Sequence, residues 1–305
     1  MAEETRFSEY IDQLKKEAVT SGISVATADA AFANIKLFKR AIAADQAQPE
    51  IVSTLDDYLP RAVPQWKVDK GVRLYQEHRT LLEKIGQEYG VQPRFIVALW
   101  GIETNYGNYT GNYSVIGATA SLAYEGRREA FFKEQLFAAL RIVEEGHISL
   151  EDLKGSWAGA MGQTQFMPTS FLHYAVDYDG DGRKDIWHSL PDIFASAANY
   201  LQSIGWDENK TWARQVRITG EAIDESETGL LVKKTLPQWQ ALGVRRWDGA
   251  DLPSAEIRAS LIYPDTASGR IYLAYSNYDA LMQWNRSHYF VIAVGHLSEK
   301  IRAQL

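Results

Sequence analysis

The sequence contains no cysteine. Disulfide bonds, thiol nucleophiles and cysteine-bound zinc are therefore excluded, although the absence fits both reducing and oxidising compartments. No uninterrupted apolar run approaches the roughly 20 residues that a membrane-spanning helix needs, and the N-terminus, MAEETRFSEY, shows neither an export signal nor a lipobox. Basic residues are also few, with 32 Lys and Arg against 39 Asp and Glu. We therefore expect no groove for nucleic acid and no binding to an anionic membrane surface.

The remaining composition is that of a globular protein with a sizeable core. The 305 residues are 46 % hydrophobic and 23 % charged, which is enough for one or two domains. Apolar residues recur at helical spacing through most of the chain, and the spacing predicts one long helix over 66–89. Near residue 207 the pattern changes to β-branched and alternating segments separated by turn residues. These patterns predict a mainly α protein with a small antiparallel β insertion.

The same patterns predict four segments. These are an N-terminal helical region over 1–65, a helical core over 66–206, a small β-rich domain over 207–277, and a C-terminal helix over 278–305 that returns to the core.

A single carboxylate ends the apolar run in ALWGIETNYG, residues 98–107. Burial and the negative end of a helix both raise the pKa of such a carboxyl group, so Glu103 is a candidate general acid. The alternative is a buried structural glutamate that pairs with Arg94 or Arg128, or with backbone. This stretch alone does not favour either interpretation.

A second segment, GSWAGAMGQTQFMPTSF at 155–171, mixes glycines, neutral hydrogen-bonding residues and aromatic residues. Glycine lets the backbone approach a ligand closely, and neutral polar groups among aromatic rings are typical of a sugar-binding site. A tight crossing of helices through small residues is the alternative, and on this segment alone it is the favoured one.

A third segment, DYDGDGRKDIWHSLPD at 177–192, follows the template of a calcium-binding loop. Its ligand positions are filled by Asp177, Asp179, Asp181, the carbonyl of Arg183 and Asp185, with Gly182 at the sharp turn. Carboxylates at alternate positions repel one another unless a cation lies between them. The alternative is a solvated acidic turn.

The template fails at its last position, where His188 replaces the expected glutamate. Asp192 lies four residues further on and is a candidate to close the site, with Asp185 as the other. Asp192 is also placed to cap the next helix together with Ser189, and the two roles are compatible.

Together with SAANYL, GW and WNRS, these segments resemble in order and spacing the lytic murein transglycosylase B family, from about Pro49 to the end. The resemblance implies a lysozyme-like catalytic core and cleavage of the β-1,4 bond between N-acetylmuramic acid and N-acetylglucosamine in peptidoglycan. The cleavage uses no water and leaves a 1,6-anhydromuramoyl end. Glu103 matches the single catalytic acid of the family.

The resemblance also assigns residues that bind the glycan: Tyr58, Ser156, Met161, Gln165, Phe166, Tyr200, Trp284 and Asn285. Trp284 replaces a tyrosine of the family pattern. A later tyrosine corresponds to Phe290, with Tyr289 adjacent, so stacking is expected at these positions and hydrogen bonding is not.

The expected metal is structural calcium, held by Asp177, Asp179, Asp181, Arg183 and Asp192, without an organic cofactor. We expect a monomer that binds peptidoglycan glycan strands, with other cell-wall enzymes as further candidate partners. The expected location is the periplasm or the outer membrane. Two alternatives stay open at this point: a hydrolytic muramidase, and a non-catalytic glycan-binding protein stabilised by calcium.

Overall fold

The structure is a computed structural model that describes residues 2–47, 54–266 and 269–305. Its helices are α1 Ala2–Thr20, α2 Val25–Phe32, α3 Lys39–Gln46, α4 Leu55–Ala62, α5 Gln65–Glu77, α6 Arg79–Tyr89, α7 Pro93–Thr104, α8 Val115–Glu125, α9 Glu129–Glu144, α10 Pro168–Tyr174, α11 Leu190–Ser203, α12 Leu236–Ala241, α13 Ser276–Trp284 and α14 His288–Arg302. Its strands are β1 Tyr113–Ser114, β2 Lys154–Gly155, β3 Ala213–Ile218, β4 Lys234–Thr235, β5 Val244–Arg246, β6 Arg258–Ile262 and β7 Ile271–Ala274. The predicted mainly α fold with a small antiparallel β insertion is confirmed.

Contacts between residues divide the chain into two compact units. The first comprises residues 1–50 and 103–199, and the second comprises 51–102 and 200–305. The boundary falls within α7, so Glu103 and Thr104 belong to the first unit. The four segments proposed from the sequence stay a prediction.

In the first unit, α8 forms the centre of the core. Its residues 115–123 are all buried, and the helix packs against α9 and α3. The segment VIGATASLA is made mainly of small and β-branched residues, which lets neighbouring helices approach closely. Its two hydroxyls are satisfied locally, because Thr119 donates to the Val115 carbonyl and Ser121 to the Gly117 carbonyl, both at 2.7 Å. β1 and β2 pair antiparallel, with Tyr113 opposite Gly155.

In the second unit, five antiparallel strands form a sheet in the order β4-β6-β7-β3-β5. Trp239 of α12 is fully buried in the core of this sheet, and its indole N–H donates to the Ala259 carbonyl at 2.8 Å. That hydrogen bond satisfies the one polar atom of a large buried side chain. α14 packs against α4, α5 and α13 in the same unit.

The predicted single helix over 66–89 is wrong, because His78 interrupts it. His78 has φ −106° and ψ 18° and separates α5 from α6. Val68 of α5 and Leu82 of α6 are both fully buried. The apolar periodicity therefore continues across the break and does not reveal it.

Candidate active site

Glu103 is the penultimate residue of α7, at the end of a run of buried residues over 95–101. The glutamate itself is half-buried. The two arginines considered as its structural partners have other neighbours. Arg94 Nη2 lies 4.0 Å from Glu299 Oε1, and the Arg128 guanidinium lies 4.3 Å from the centroid of the Phe131 ring. Glu103 is thus partly exposed at the end of a helix whose residues 95–101 are buried.

The turn that follows Glu103 has an unusual backbone. Asn105 and Tyr106 both adopt the left-handed conformation, with φ of +53° and +59°. Non-glycine residues rarely adopt it, and such residues cluster at functional sites. The Thr104 hydroxyl holds this turn, since it accepts from the Gly107 N–H and donates to the Gln163 carbonyl, both at 3.0 Å.

The Gln163 side chain packs directly under Gly107. A Cβ atom at position 107 would lie 2.3 Å from Gln163 Oε1, and φ of Gly107 is +80°. Gln163 is in turn fixed by its own amide, which donates from Nε2 to the Trp187 carbonyl at 2.7 Å. Residues 104–107 and the glycine-rich segment are therefore locked together by contacts that leave no room for a side chain at 107.

The glycine-rich segment forms a tight turn between Met161 and Phe166, which exchange backbone hydrogen bonds of 2.8 and 3.1 Å. Gln165 lies within this turn at φ +51°. Its Nε2 donates to the carbonyls of Thr110 and Gly162, at 3.1 and 3.0 Å. The Gln165 amide is thus held in one orientation, which is the condition for a precise polar contact with a ligand.

Ser156 precedes that turn and is half-buried. Its Oγ accepts hydrogen bonds from the N–H groups of Ala158 and Ala160, at 3.3 and 3.0 Å. These two contacts use the acceptor capacity of the hydroxyl and leave its proton to be donated.

Met161 requires a correction. It was expected to bind glycan, but it has no exposed surface. The backbone pairing with Phe166 draws its side chain into the core, so its role is to support the turn. Phe166 is 2 % exposed and has little surface to offer a sugar ring.

The second unit holds the other residues assigned to glycan binding. Tyr200 and Trp284 stack with ring centroids 4.8 Å apart and an interplanar angle of 23°. The Tyr200 hydroxyl donates to the Gln283 carbonyl at 3.3 Å. Asn285 follows directly after α13, and both it and Trp284 are half-buried. Trp284 therefore stacks on a neighbouring tyrosine, and its stacking on a sugar ring stays a prediction.

Tyr58 of α4 forms an aromatic pair with Tyr289, with centroids 5.3 Å apart. The sequence comparison pointed first to Phe290, but Tyr289 is the ring that meets Tyr58. The Tyr289 hydroxyl donates to Asp265, which also accepts the Leu55 N–H at 3.0 Å. Burial, together with this hydrogen bond, raises the pKa of Tyr289 to about 12.

Sequence reasoning missed Thr104 and Asp265, and it counted Gln163 among the polar residues of the glycine-rich segment without its role in holding the turn. Thr104 adjoins Glu103, and a hydroxyl residue next to a candidate acid was a usable signal. Asp265 gave no signal, since it lies 210 residues from Leu55.

Three carboxylates of the third segment converge in the first unit. Ligand oxygens of Asp177, Asp179 and Asp192 lie within 4.8 Å of one another. Asp192 is fully buried, and its carboxylate accepts from the N–H groups of Tyr178 and Asp185 at 2.7 and 2.8 Å. Burial raises the pKa of Asp192, and the charge of Asp179 acts in the same direction. A divalent cation among these oxygens would offset both effects.

The other loop residues lie outside this group of three. Asp181 Oδ1 accepts from the Arg183 N–H at 2.8 Å, and Asp185 Oδ1 accepts from the N–H groups of Trp187 and His188, both at 2.9 Å. The Asp192 N–H donates weakly to Ser189 Oγ at 3.5 Å. Asp192 rather than Asp185 therefore faces the other carboxylates, while its backbone N–H donates to the capping hydroxyl of Ser189.

Within the described residues, no helix combines the length and apolar character needed to cross a membrane.

The sequence matches the family described as transglycosylase SLT domain over residues 6–299. This chain belongs to the transglycosylase SLT family. Among its relatives is the membrane-bound lytic murein transglycosylase B of Escherichia coli K12, which is 30 % identical over 250 residues. That alignment covers 80 % of this chain and 66 % of the E. coli protein, so the chain spans just under two thirds of that relative.

Solved structures of lytic transglycosylases share the fold of this chain. SltB3 from Pseudomonas aeruginosa in complex with NAG-anhNAM-pentapeptide is 39 % identical, with a TM-score of 0.92, over 97 % of this chain and 79 % of that chain. Slt35 from E. coli in complex with calcium is 26 % identical, with a TM-score of 0.85, over 97 % of this chain and 93 % of that chain. The predicted lysozyme-like transglycosylase fold is confirmed by this likeness.

Proposed function

We propose that this chain is a lytic transglycosylase that cleaves the β-1,4 bond between N-acetylmuramic acid and N-acetylglucosamine in peptidoglycan. The observation that carries the proposal is Glu103, a half-buried acid at the end of an apolar helix, followed by a strained turn that is locked to a polar, glycine-rich segment. Membership of the SLT family supports it. So does the ligand of the P. aeruginosa relative, NAG-anhNAM-pentapeptide, which carries the anhydro sugar that such cleavage produces.

In the first step, the protonated carboxyl of Glu103 donates its proton to the glycosidic oxygen while the bond from that oxygen to C1 of the muramoyl residue breaks. The N-acetylglucosamine side leaves with a hydroxyl at that oxygen. Positive charge develops at C1, and the N-acetyl group of the same sugar is positioned to stabilise it as an oxazolinium ion.

In the second step, the Glu103 carboxylate accepts the proton of the muramoyl 6-hydroxyl while that oxygen forms a bond to C1. The product is the 1,6-anhydro sugar, and Glu103 is protonated again. A glycosidase that uses water normally needs two carboxylates. An intramolecular nucleophile has an effective molarity high enough to compete with water, so one acid suffices here.

The remaining assigned residues are proposed to bind the glycan in the roles that their geometry supports. In the first unit, Ser156 has a proton to donate, and Gln165 holds a fixed amide. In the second unit, the Tyr200–Trp284 and Tyr58–Tyr289 pairs provide aromatic faces, and Asn285 provides an amide.

We further propose that calcium binds at Asp177, Asp179 and Asp192, with Asp181 and the Arg183 carbonyl as additional ligands. The three converging carboxylates fit a hard cation that prefers oxygen ligands. The calcium complex of the E. coli relative supports this choice of metal. The loop joins α10 to α11, so calcium would contribute stability and no step of the reaction.

Because the proposed substrate is peptidoglycan, we expect the protein in the periplasm or at the outer membrane. The name of the membrane-bound E. coli relative agrees with this location. Glycan strands are the proposed partner, and other cell-wall enzymes are further candidates. A monomer stays our prediction.

Digestion of purified peptidoglycan, followed by mass spectrometry of the released fragments, tests the proposed function. We expect disaccharide-peptides lighter by one water than the products of a hydrolase, and these should lack a reducing end. Products of full mass with a reducing end would identify a muramidase, and the absence of any released fragment would leave only glycan binding.

Thr104→Val should weaken both the fold and the reaction. The substitution keeps the shape of the side chain but removes a hydroxyl that pairs with the Gly107 N–H and the Gln163 carbonyl. Leaving these groups without a partner should lower the free energy of unfolding by about 2 kcal/mol. The turnover number should fall as well, because the turn after Glu103 loses the two hydrogen bonds that fix its backbone.

Urea denaturation and turnover on peptidoglycan measure the two effects. Thr104→Ser is the matched control, because it retains the hydroxyl and should keep most of the activity. Equal turnover in the Val and Ser variants would contradict the role given to this hydroxyl.

A further inference from the structure

A cavity of about 640 Å³ lies in the second unit and contains none of the residues assigned to the glycan site. Its floor is apolar and is formed by Val216 of β3, Leu236 of α12 and Leu273 of β7, which belong to the core cluster of the sheet. The volume lies in the range typical of sites for small ligands. These floor residues are at most 1 % exposed, so the apolar surface that a ligand can cover is supplied by Ile257, which lines the same cavity and is 40 % exposed.

Each cation that lines this cavity lies near a carboxylate, and one of these carboxylates, Glu299, is shared with Arg94 and Arg302. Three cations line the cavity, and each lies within 4 Å of a carboxylate: Lys210 with Asp207 at 2.8 Å, Arg214 with Glu299 at 3.8 Å, and Arg246 with Asp248 at 2.9 Å. Such pairing favours a neutral ligand over a strongly anionic one. Uncharged amides, Asn209 and Gln215, complete the polar part of the lining.

An exposed tryptophan stands at the edge of the cavity. Trp247 is 62 % exposed and follows β5 in a tight turn. The Gly249 N–H donates to the Arg246 carbonyl at 2.8 Å, and the Ala250 N–H donates to Asp248 Oδ1 at 3.0 Å. A Cβ at Gly249, where φ is +92°, would lie 1.9 Å from Arg217 Nη2. The backbone of the turn that carries Trp247 is thus fixed before any ligand binds, which lowers the part of the entropic cost of binding that comes from ordering a loop.

These features match the chemistry of a sugar. A pyranose ring has an apolar face of C–H groups that stacks on an aromatic ring, and hydroxyls at its edge that pair with amides and guanidinium groups. It carries no charge. An apolar floor, an exposed indole, planar polar side chains and paired charges meet each of these requirements.

We propose that this cavity is a second glycan-binding site, which takes an N-acetylglucosamine residue, the uncharged sugar of the aminosugar chain, with Trp247 as the stacking platform. The proposal rests on the proposed function in one respect, namely that the chain bound is a peptidoglycan strand. A second contact with the same polymer raises the effective affinity for long strands without any change at the catalytic residues. Short fragments cannot benefit from it.

Trp247→Ala tests the proposal against Trp66→Ala as a matched control. Trp66 belongs to the same unit, is 53 % exposed and does not line the cavity. Binding to insoluble purified peptidoglycan is measured by sedimentation, with each substitution made in the Glu103→Gln background so that no cleavage occurs. Cleavage by the single variants is measured on intact peptidoglycan and on a soluble fragment of a few disaccharides.

We expect Trp247→Ala to raise the dissociation constant for insoluble peptidoglycan about tenfold, and to slow cleavage of intact peptidoglycan at limiting substrate. Cleavage of the soluble fragment should not change. Trp66→Ala should behave as the parent in every assay, and Trp247→Tyr should retain most of the binding, which shows that the aromatic face rather than the fold is responsible.

Three results would contradict the proposal of a second glycan-binding site. These are parental binding by Trp247→Ala, an equal loss on the soluble fragment, and an equal loss in Trp66→Ala. The binding assay does not depend on cleavage. If the parent proved unable to cleave glycan, the proposed function would fail while the second site was still tested.

Discussion

Glu103→Gln is expected to abolish glycan cleavage while the fold survives. The substitution preserves the size of the side chain at the end of α7 and removes its acidic proton. Loss of a general acid typically lowers the rate by about 10²–10⁴-fold. The loss should reach or exceed the upper end of that range, because the same carboxylate is proposed to accept the proton of the 6-hydroxyl in the second step.

Release of soluble fragments from purified peptidoglycan measures this effect, and circular dichroism with thermal melting reports on the fold. Glu151→Gln is the matched control, since Glu151 is exposed in the same unit and undergoes the same chemical change. A folded Glu103→Gln protein with activity near that of the parent would rule out the catalytic assignment.

Asp192→Asn is expected to remove the response of the protein to calcium. The parent should melt at a higher temperature with calcium than with a chelator, because a ligand that binds only the folded state stabilises it by RT ln(1 + [L]/Kd). At a hundredfold excess over Kd this amounts to about 2.7 kcal/mol, or a shift on the order of 5 °C. Asparagine removes the buried charge at the centre of the carboxylate group.

The quantity to compare is the difference in melting temperature between calcium and chelator. Asp192→Asn also disturbs hydrogen bonds from the Tyr178 and Asp185 N–H groups. That disturbance lowers the melting temperature equally with calcium and with chelator, so it cannot by itself account for a change in the difference. Asp29→Asn, at an exposed ion pair in the same unit, should keep the parental response. An unchanged calcium response in Asp192→Asn would mean that the loop is only an acidic turn.

The sequence predicted those parts of the site whose determinants are local. The apolar run before Glu103 and the turn residues after it place the acid at a helix end, and α7 ends at Thr104 as that pattern requires. The spacing of the carboxylates in 177–192 likewise reflects a single loop, and Asp192 meets Asp177 and Asp179 in the structure.

Contacts between distant residues were not predictable in this way. Thr104 and Gln163 are 59 residues apart. Asp265 accepts a hydrogen bond from the Leu55 N–H, which lies 210 residues away in the sequence. Neither contact leaves a periodic pattern in the chain. Burial was misjudged for a related reason, since the assignment of Met161 did not include the backbone pairing with Phe166 that turns its side chain into the core.

The proposal that one glutamate acts alone is tested most directly by cleaving peptidoglycan in water enriched in heavy oxygen. If the muramoyl 6-hydroxyl is the nucleophile, solvent oxygen never reaches C1. We expect mass spectrometry to show anhydro-disaccharide-peptides without label at that carbon. Heavy oxygen at C1, in a product with a free reducing end, would show that water attacks there, that a second group activates it, and that the enzyme is a hydrolase.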